Sequence, residues 1–130
     1  MLGGTELALS ETVRNAYLNA LCRNTSYANA AVWVQMHVGD PGTAGTSNPA
    51  GNTTRQQSTF GTVASGGAIS NTADIAWTSV STSETYTHIS LWSASTSGTY
   101  LGSASLTQSK AVNSGDNFSI PTGDLDITIT

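Results

Sequence analysis

The chain has 130 residues, the size of a single domain, and a formal net charge of −4 at pH 7. Only 9% of the residues are charged while 38% are hydrophobic, which excludes the composition of a disordered protein. The acidic balance and the scatter of the four basic residues exclude a nucleic-acid-binding surface. The 18 serines and 20 threonines indicate an uncharged β domain, whose expected partner is a protein or a sugar.

The N-terminal segment predicts neither a secretory leader nor a membrane span. It has no basic region followed by a long apolar region, and no apolar run in the chain approaches the ~18 residues that cross a bilayer. We therefore expect a protein that is made in a cytoplasm and has no membrane partner. Cys22 is the single cysteine, and its place on the inner face of a predicted helix favours a buried thiol.

The first predicted element is a helix over residues 10–24. Ser10 is a good N-cap, and the charges of Glu11 and Arg23 suit the two ends of the helix dipole. Apolar residues recur between them at the helical period, and this stripe is expected to pack against the strands that follow. The stripe consists of Val13, Ala16, Tyr17, Ala20 and Leu21.

From residue 31 onward the apolar period changes to 2, which predicts strands separated by glycine-rich and Asn/Asp-rich turns. The first strand covers 31–38, where Trp33, Gln35 and His37 alternate with apolar residues in the pattern of a half-buried strand. Further strands are predicted at 59–64, 67–70, 73–80, 85–93, 99–106, 108–112, 117–120 and 124–130. This spacing predicts one mostly β domain over residues 1–130, an antiparallel β-sandwich or jelly-roll-like barrel with one N-terminal α-helix.

Residues 39–58 form the longest segment without an apolar period, and they include two of the three prolines and four glycines. A connection of this length is expected to be an exposed loop or arm that binds a partner, or else an ordinary connection between sheets. The residues predicted to bind a partner are Asp40, Pro41, Asn48, Pro49, Arg55 and Gln56.

The titratable residues show no pattern of a catalytic site, so we expect no enzyme, no cofactor and no metal. No phosphate-binding loop, dinucleotide motif, zinc-protease motif or nucleophile elbow occurs. Two interpretations remain for Asp116, Asp124 and Asp126. They form a weak calcium site, or they are ordinary solvated residues near the start of a strand. His37 and His88 would form a metal site only on adjacent strands in register with a third ligand, and otherwise each is a half-buried histidine.

The aromatic residues of the strands admit two interpretations. Exposed rings would stack on sugars, whereas the alternation of most of them favours burial between two layers of a β fold. These residues are Trp33, Trp77, Tyr86, Trp92 and Tyr100.

The order of the segments resembles a family of small structural proteins of tailed bacteriophages. The resemblance covers residues 11–130 and rests on segments that are short individually but ordered and spaced alike. They are LNALCRN, AVWVQMHV, GDPGTAG, Arg55-Gln56, ASGGAISNTADIAW, THISLWSASTSGTYLGSASL and SKAVNSGDNFSIPTGDLDITI. Members of the family are described either as head decoration (minor capsid) proteins or as tail fibre proteins.

This resemblance implies a virion component without catalysis. The interpretation we take first is a head decoration protein that stabilises the capsid by binding the lattice of the major capsid protein. Closed symmetric oligomers suit symmetric lattice positions, so the resemblance also implies a homotrimer. The alternative is a tail fibre or tail-tip protein that contacts the host surface.

Overall fold

The computed structural model describes residues 5–129. Within that range the chain has one helix and ten strands. They are β1 (Thr5–Glu6), β2 (Ala8–Leu9), α1 (Glu11–Arg23), β3 (Val32–His37), β4 (Gln56–Ser58), β5 (Ala68–Ser70), β6 (Ile75–Trp77), β7 (Glu84–Trp92), β8 (Tyr100–Val112), β9 (Phe118–Ile120) and β10 (Asp126–Thr128).

Helix α1 begins directly after its predicted N-cap, and both of its ends lie within one residue of the predicted range 10–24. The Ser10 side chain accepts a hydrogen bond from the Val13 amide at 3.3 Å, and Asn24 ends the helix in the left-handed conformation with φ 53°. Its 13 residues are too few to cross a bilayer, and residues 5–129 contain no other helix.

The apolar stripe of α1 does not pack as the sequence predicts. Val13 is the one buried residue of the helix, whereas Leu21 is 83% exposed and Tyr17 is 40% exposed. The expectation of a buried Cys22 is wrong for the same reason, because its thiol is exposed on this half of the helix. Full burial is therefore confined to the first turn of α1, and most side chains of its second half project into solvent.

The largest sheet has five antiparallel strands in the order β2-β8-β7-β3-β4. Its centre is the long hairpin of β7 and β8, whose turn places Ser97 and Gly98 at φ 53° and 75°. The predicted strands 99–106 and 108–112 are therefore one strand, with a register shift opposite Tyr86 and His88. The same shift interrupts the period-2 alternation of apolar residues, which is why the sequence predicts two strands here.

One face of this sheet supplies half of the apolar core. Val34, Met36, Ile89 and Leu91 lie on it and are at most 2% exposed. The sheet β6-β9 adds four buried residues, α1 and the loops add others, and Ile127 of β10 packs against this core half-buried. Burial on one face of each strand is what period-2 alternation predicts.

The opposite face of β3 is also buried, so this strand is not half-buried as predicted. Gln35 and His37 are polar, but they are 8% and 0% exposed. The segment 39–55 folds back over them, with Val38 and Ala50 bonded to Asn48 and Met36 through the backbone. Local alternation could not reveal this cover because the covering segment itself has no apolar period.

The fold is mostly β with open antiparallel sheets and an N-terminal helix, as the sequence predicts. No closed barrel forms within residues 5–129, where the β1–β10 pair is the parallel exception. The predicted strand 59–64 is wrong: strand pairing ends at Ser58, and only Phe60 makes an isolated bridge, to Asn71.

Candidate functional site

The residues predicted to bind a partner lie in two separate groups. In the first group, Asp40 Oδ1 accepts from the Gly42 amide at 2.8 Å, and Asn48 Nδ2 donates to the Asp40 carbonyl at 2.9 Å. Pro41 is buried beneath this turn, while Pro49 forms a bridge to His37 at the end of β3. These contacts hold residues 40–49 as a compact turn against the sheet and not as a free arm.

Arg55 belongs to the second group, and its side chain joins β3 to the turn between β7 and β8. Its Nε donates to Gln35 Oε1 at 3.1 Å, and its Nη1 donates to the carbonyls of Ala94 and Ser97 at 3.0 and 2.7 Å. The guanidinium also lies 3.8 Å from the ring centroid of Trp92. The neighbouring Gln56 opens the edge strand β4. Binding of a partner by these residues stays a prediction.

The two histidines meet one condition of the metal-site alternative. His37 and His88 are direct partners across β3 and β7, so the strands are adjacent and in register. The third ligand is missing, because no group of three His, Cys, Asp or Glu able to hold a metal ion exists in the described part of the chain.

The contacts of His37 give it a structural role, in which both of its ring nitrogens are hydrogen-bonded inside the protein. Its Nδ1 lies 2.9 Å from the Ser47 carbonyl, which can only accept, so Nδ1 carries the proton. Its Nε2 accepts from Ser90 Oγ at 2.7 Å, and Ser90 in turn accepts from Trp92 Nε1 at 2.8 Å. Desolvation by burial lowers the pKa of His37, and His88 and Arg55 lower it further.

The three aspartates of the calcium alternative serve different local structures. Asp116 accepts from the Asn113 amide at 2.9 Å and closes the turn after β8. Asp126 lies on β10 and accepts from Ser70 Oγ at 3.0 Å. Asp124 lies in the turn before β10.

The aromatic residues of the strands are divided between the core and the polar side of the sheet. Trp77 and Tyr86 are 2% and 1% exposed and both contact Phe118. Trp92 and Tyr100 lie on the polar face, with ring centroids 5.4 Å apart. Tyr100 is half-buried, so part of its surface faces a cleft.

An apolar surface surrounds the projecting half of α1. It borders a groove of about 320 Å³ between α1, the segment after it and β10. Tyr17 and Tyr27 meet edge to face at its rim, with centroids 5.4 Å apart. We call the exposed residues here the apolar surface; they are Tyr17, Leu18, Leu21, Tyr27, Val63 and Ile129. The sequence shows the helical part of this surface but predicts it to be covered.

A second depression, which we call the polar cleft, lies at the start of α1 and has a volume of about 430 Å³. Its walls come from three parts of the chain: the β2–α1 junction, the turn after β3, and β8. No sequence signal marks the cleft, because residues so far apart are brought together by the pairing of β2 with β8 and by the packing of the turn after β3 on Tyr100.

Comparison with known proteins identifies the family of the chain. No curated protein matches it significantly. The profile of a family described as Podophage GP4 fiber I protein gp80 matches residues 8–128. This confirms the resemblance to small phage structural proteins, and it supports the fibre alternative better than head decoration. The chain therefore belongs to the podophage GP4 fiber I protein gp80 family, and it is a fibre-type structural protein of a bacteriophage virion.

Proposed function

We propose that the chain is a subunit of a podophage tail fibre that contacts the surface of the host cell. The observation that carries the proposal is the family match, which spans residues 8–128 and so nearly the whole chain. The organisation of the polar residues agrees with a structural role, because His37 and Arg55 hold the polar face of the sheet together.

The proposal includes self-association of the chain in the fibre. Leu18 and Leu21 are 59% and 83% exposed on a 13-residue helix whose Tyr17 lines an apolar groove. Several large apolar side chains exposed on one helix are typical of surfaces that become covered on assembly. The homotrimer predicted from the sequence is one form that such an assembly would take.

The test is the position and number of the chains in purified virions. We expect cryo-electron microscopy to locate the chain on the tail, and quantitative mass spectrometry to count few copies relative to the major capsid protein. Virions that lack the chain should keep heat-resistant heads but adsorb poorly to host cells. Copies spread over the head lattice, with heads that lose heat resistance without them, would contradict the proposal and support decoration through the major capsid protein.

A further inference from the structure

The polar cleft combines charged, hydroxyl and aromatic groups in a volume that suits a small ligand. Its volume of about 430 Å³ lies within the ~300–1,000 Å³ of typical small-molecule sites. The side chains that matter here are Glu11, Arg14, Asp40, Thr43, Tyr100 and Ser103.

The charged groups of the cleft keep much of their hydrogen-bonding capacity. Among residues 5–129, the Glu11 carboxylate has no hydrogen-bond partner, and the Asp40 carboxylate uses only Oδ1, for the Gly42 amide. The Arg14 guanidinium uses only Nη1, which donates to the Leu9 carbonyl at 2.5 Å. Three charged side chains thus line one cleft without an ion pair between them, and each retains free donors or acceptors.

Part of the cleft wall, namely Arg14, Tyr100 and the backbone of Ser10, is held in place before any ligand arrives. The Leu9 contact fixes the guanidinium of Arg14, and the Ser10 amide bonds to the Leu101 carbonyl at 2.9 Å. The ring of Tyr100 lies between Trp92 and the backbone of Gly45, where a Cβ atom would collide with it. These fixed groups lose little conformational entropy on binding, which favours recognition of a small ligand.

The charge and the mixture of groups select the ligand class. Two carboxylates and one guanidinium leave a net negative lining, which disfavours phosphates and acidic sugars. A sugar hydroxyl donates to a carboxylate and accepts from a guanidinium, while the C–H face of a sugar packs on an aromatic ring. We propose that the polar cleft binds a neutral saccharide of about one or two hexose units. The inference deepens the proposed function, because a saccharide of the host surface is what the fibre would meet.

The experiment is a titration of the full-length chain with neutral sugars, followed by amide chemical shifts in two-dimensional NMR spectra. The probes are methyl glucoside, methyl galactoside, methyl rhamnoside and N-acetylglucosamine. We expect saturable shifts for at least one sugar, centred on the amides of Glu11, Gly42 and Ser103. No saturable shift with any of the four sugars, or shifts centred elsewhere, would overturn the proposal.

Matched variants separate the cleft from the rest of the helix. Glu11→Gln and Arg14→Gln should each weaken binding by about tenfold, because each replaces a hydrogen bond to a charged group by a weaker one to a neutral amide. Arg23→Gln changes the same residue type at the far end of α1, outside the cleft, and should bind like the unchanged chain. Glu11→Gln breaks no side-chain hydrogen bond or ion pair among the described residues, so it keeps the test valid if Arg14→Gln folds poorly. Equal affinity of Glu11→Gln and Arg23→Gln would contradict the assignment.

The outcome separates this inference from the function on which it rests. Sugar binding at the cleft by a chain that proves to lie on the head would retain the site and reject the fibre. A chain on the tail without saturable sugar binding would retain the fibre and reject the site.

Discussion

At the scale of single residues, the polar face of the five-stranded sheet depends on a few buried groups that satisfy one another. Ser90 is 0% exposed and joins His37 to Trp92 through two hydrogen bonds. Arg55 satisfies Gln35 and two carbonyls of the β7–β8 turn. Because buried polar groups without partners are costly, these contacts allow a polar surface to be covered by an irregular segment.

His37 should make the stability of the chain depend on pH. Its pKa is lowered from the ordinary value of 6.5, chiefly by desolvation. The unfolded chain therefore takes up a proton in a pH range where the folded chain does not, and stability rises with pH there. We expect urea unfolding to give a constant free energy above about pH 7, which falls as the pH drops below 6.5.

Two variants identify the histidine that is responsible. His37→Gln should flatten the dependence between about pH 5 and 7, even where it lowers stability at every pH. His88→Gln should retain it. A dependence that vanishes in His88→Gln and persists in His37→Gln would show that the assignment is wrong.

At the scale of elements, β3 shows what the alternation of apolar and polar residues can predict about a strand. The pattern correctly predicts a strand and places Val34 and Met36 together on the core face. It also predicts that the face of Gln35 and His37 is solvated, and this face is buried because residues 39–55 fold over it. Alternation reports the chemistry of each face, whereas burial depends on what covers it.

The element-scale prediction compares two strands of the core. Val34 is 0% exposed at the centre of the sheet, so Val34→Ala should lower the free energy of unfolding by about 2–4 kcal/mol. Ile127 on β10 is half-buried beside the same core, so Ile127→Ala should cost less, about 1–2 kcal/mol. Denaturant unfolding at one pH measures both, and a larger loss at Ile127 would mean that assembly covers β10 in solution.

For helix α1, the sequence predicts the limits of the element but not which of its side chains are buried. Its N-cap and charge pattern allow its limits to be predicted to within one residue, since 10–24 is predicted and Glu11–Arg23 is observed. Its apolar stripe looks like that of a helix that packs on a sheet, but only Val13 is fully buried, while Tyr17 and Leu21 are exposed. The amphipathic pattern indicates that a face becomes covered, and it does not say whether the same chain covers it.

At the scale of the whole molecule, the low charge and the apolar surface both favour an assembled protein. With 9% charged residues, the chain has few side chains that oppose close approach of another protein. The apolar surface lies on one side of the helix and of the groove beneath it. A fibre subunit is expected to cover this surface in the virion.

The whole-molecule prediction is that Leu21→Gln together with Leu18→Gln reduces self-association. Both side chains are exposed, so the change removes apolar area from the contact without opening the core. Light scattering of the purified chain should give a multiple of 13.3 kDa for the unchanged protein and a smaller mass for the double variant. Asn15→Gln, at another exposed position of the same helix, is the matched control. An unchanged mass in the double variant would exclude α1 from the contact.

The sequence by itself determined the local structure of this protein. Capping residues, apolar periods and turn residues depend on neighbours in the chain, so α1, the strand-rich character and the turns could be predicted. The order of short segments also placed the chain among phage structural proteins. Only the tertiary structure decided that 39–55 covers β3, that α1 projects, and that Glu11, Asp40 and Tyr100 line one cleft. Those facts depend on contacts between distant segments, which no local period encodes.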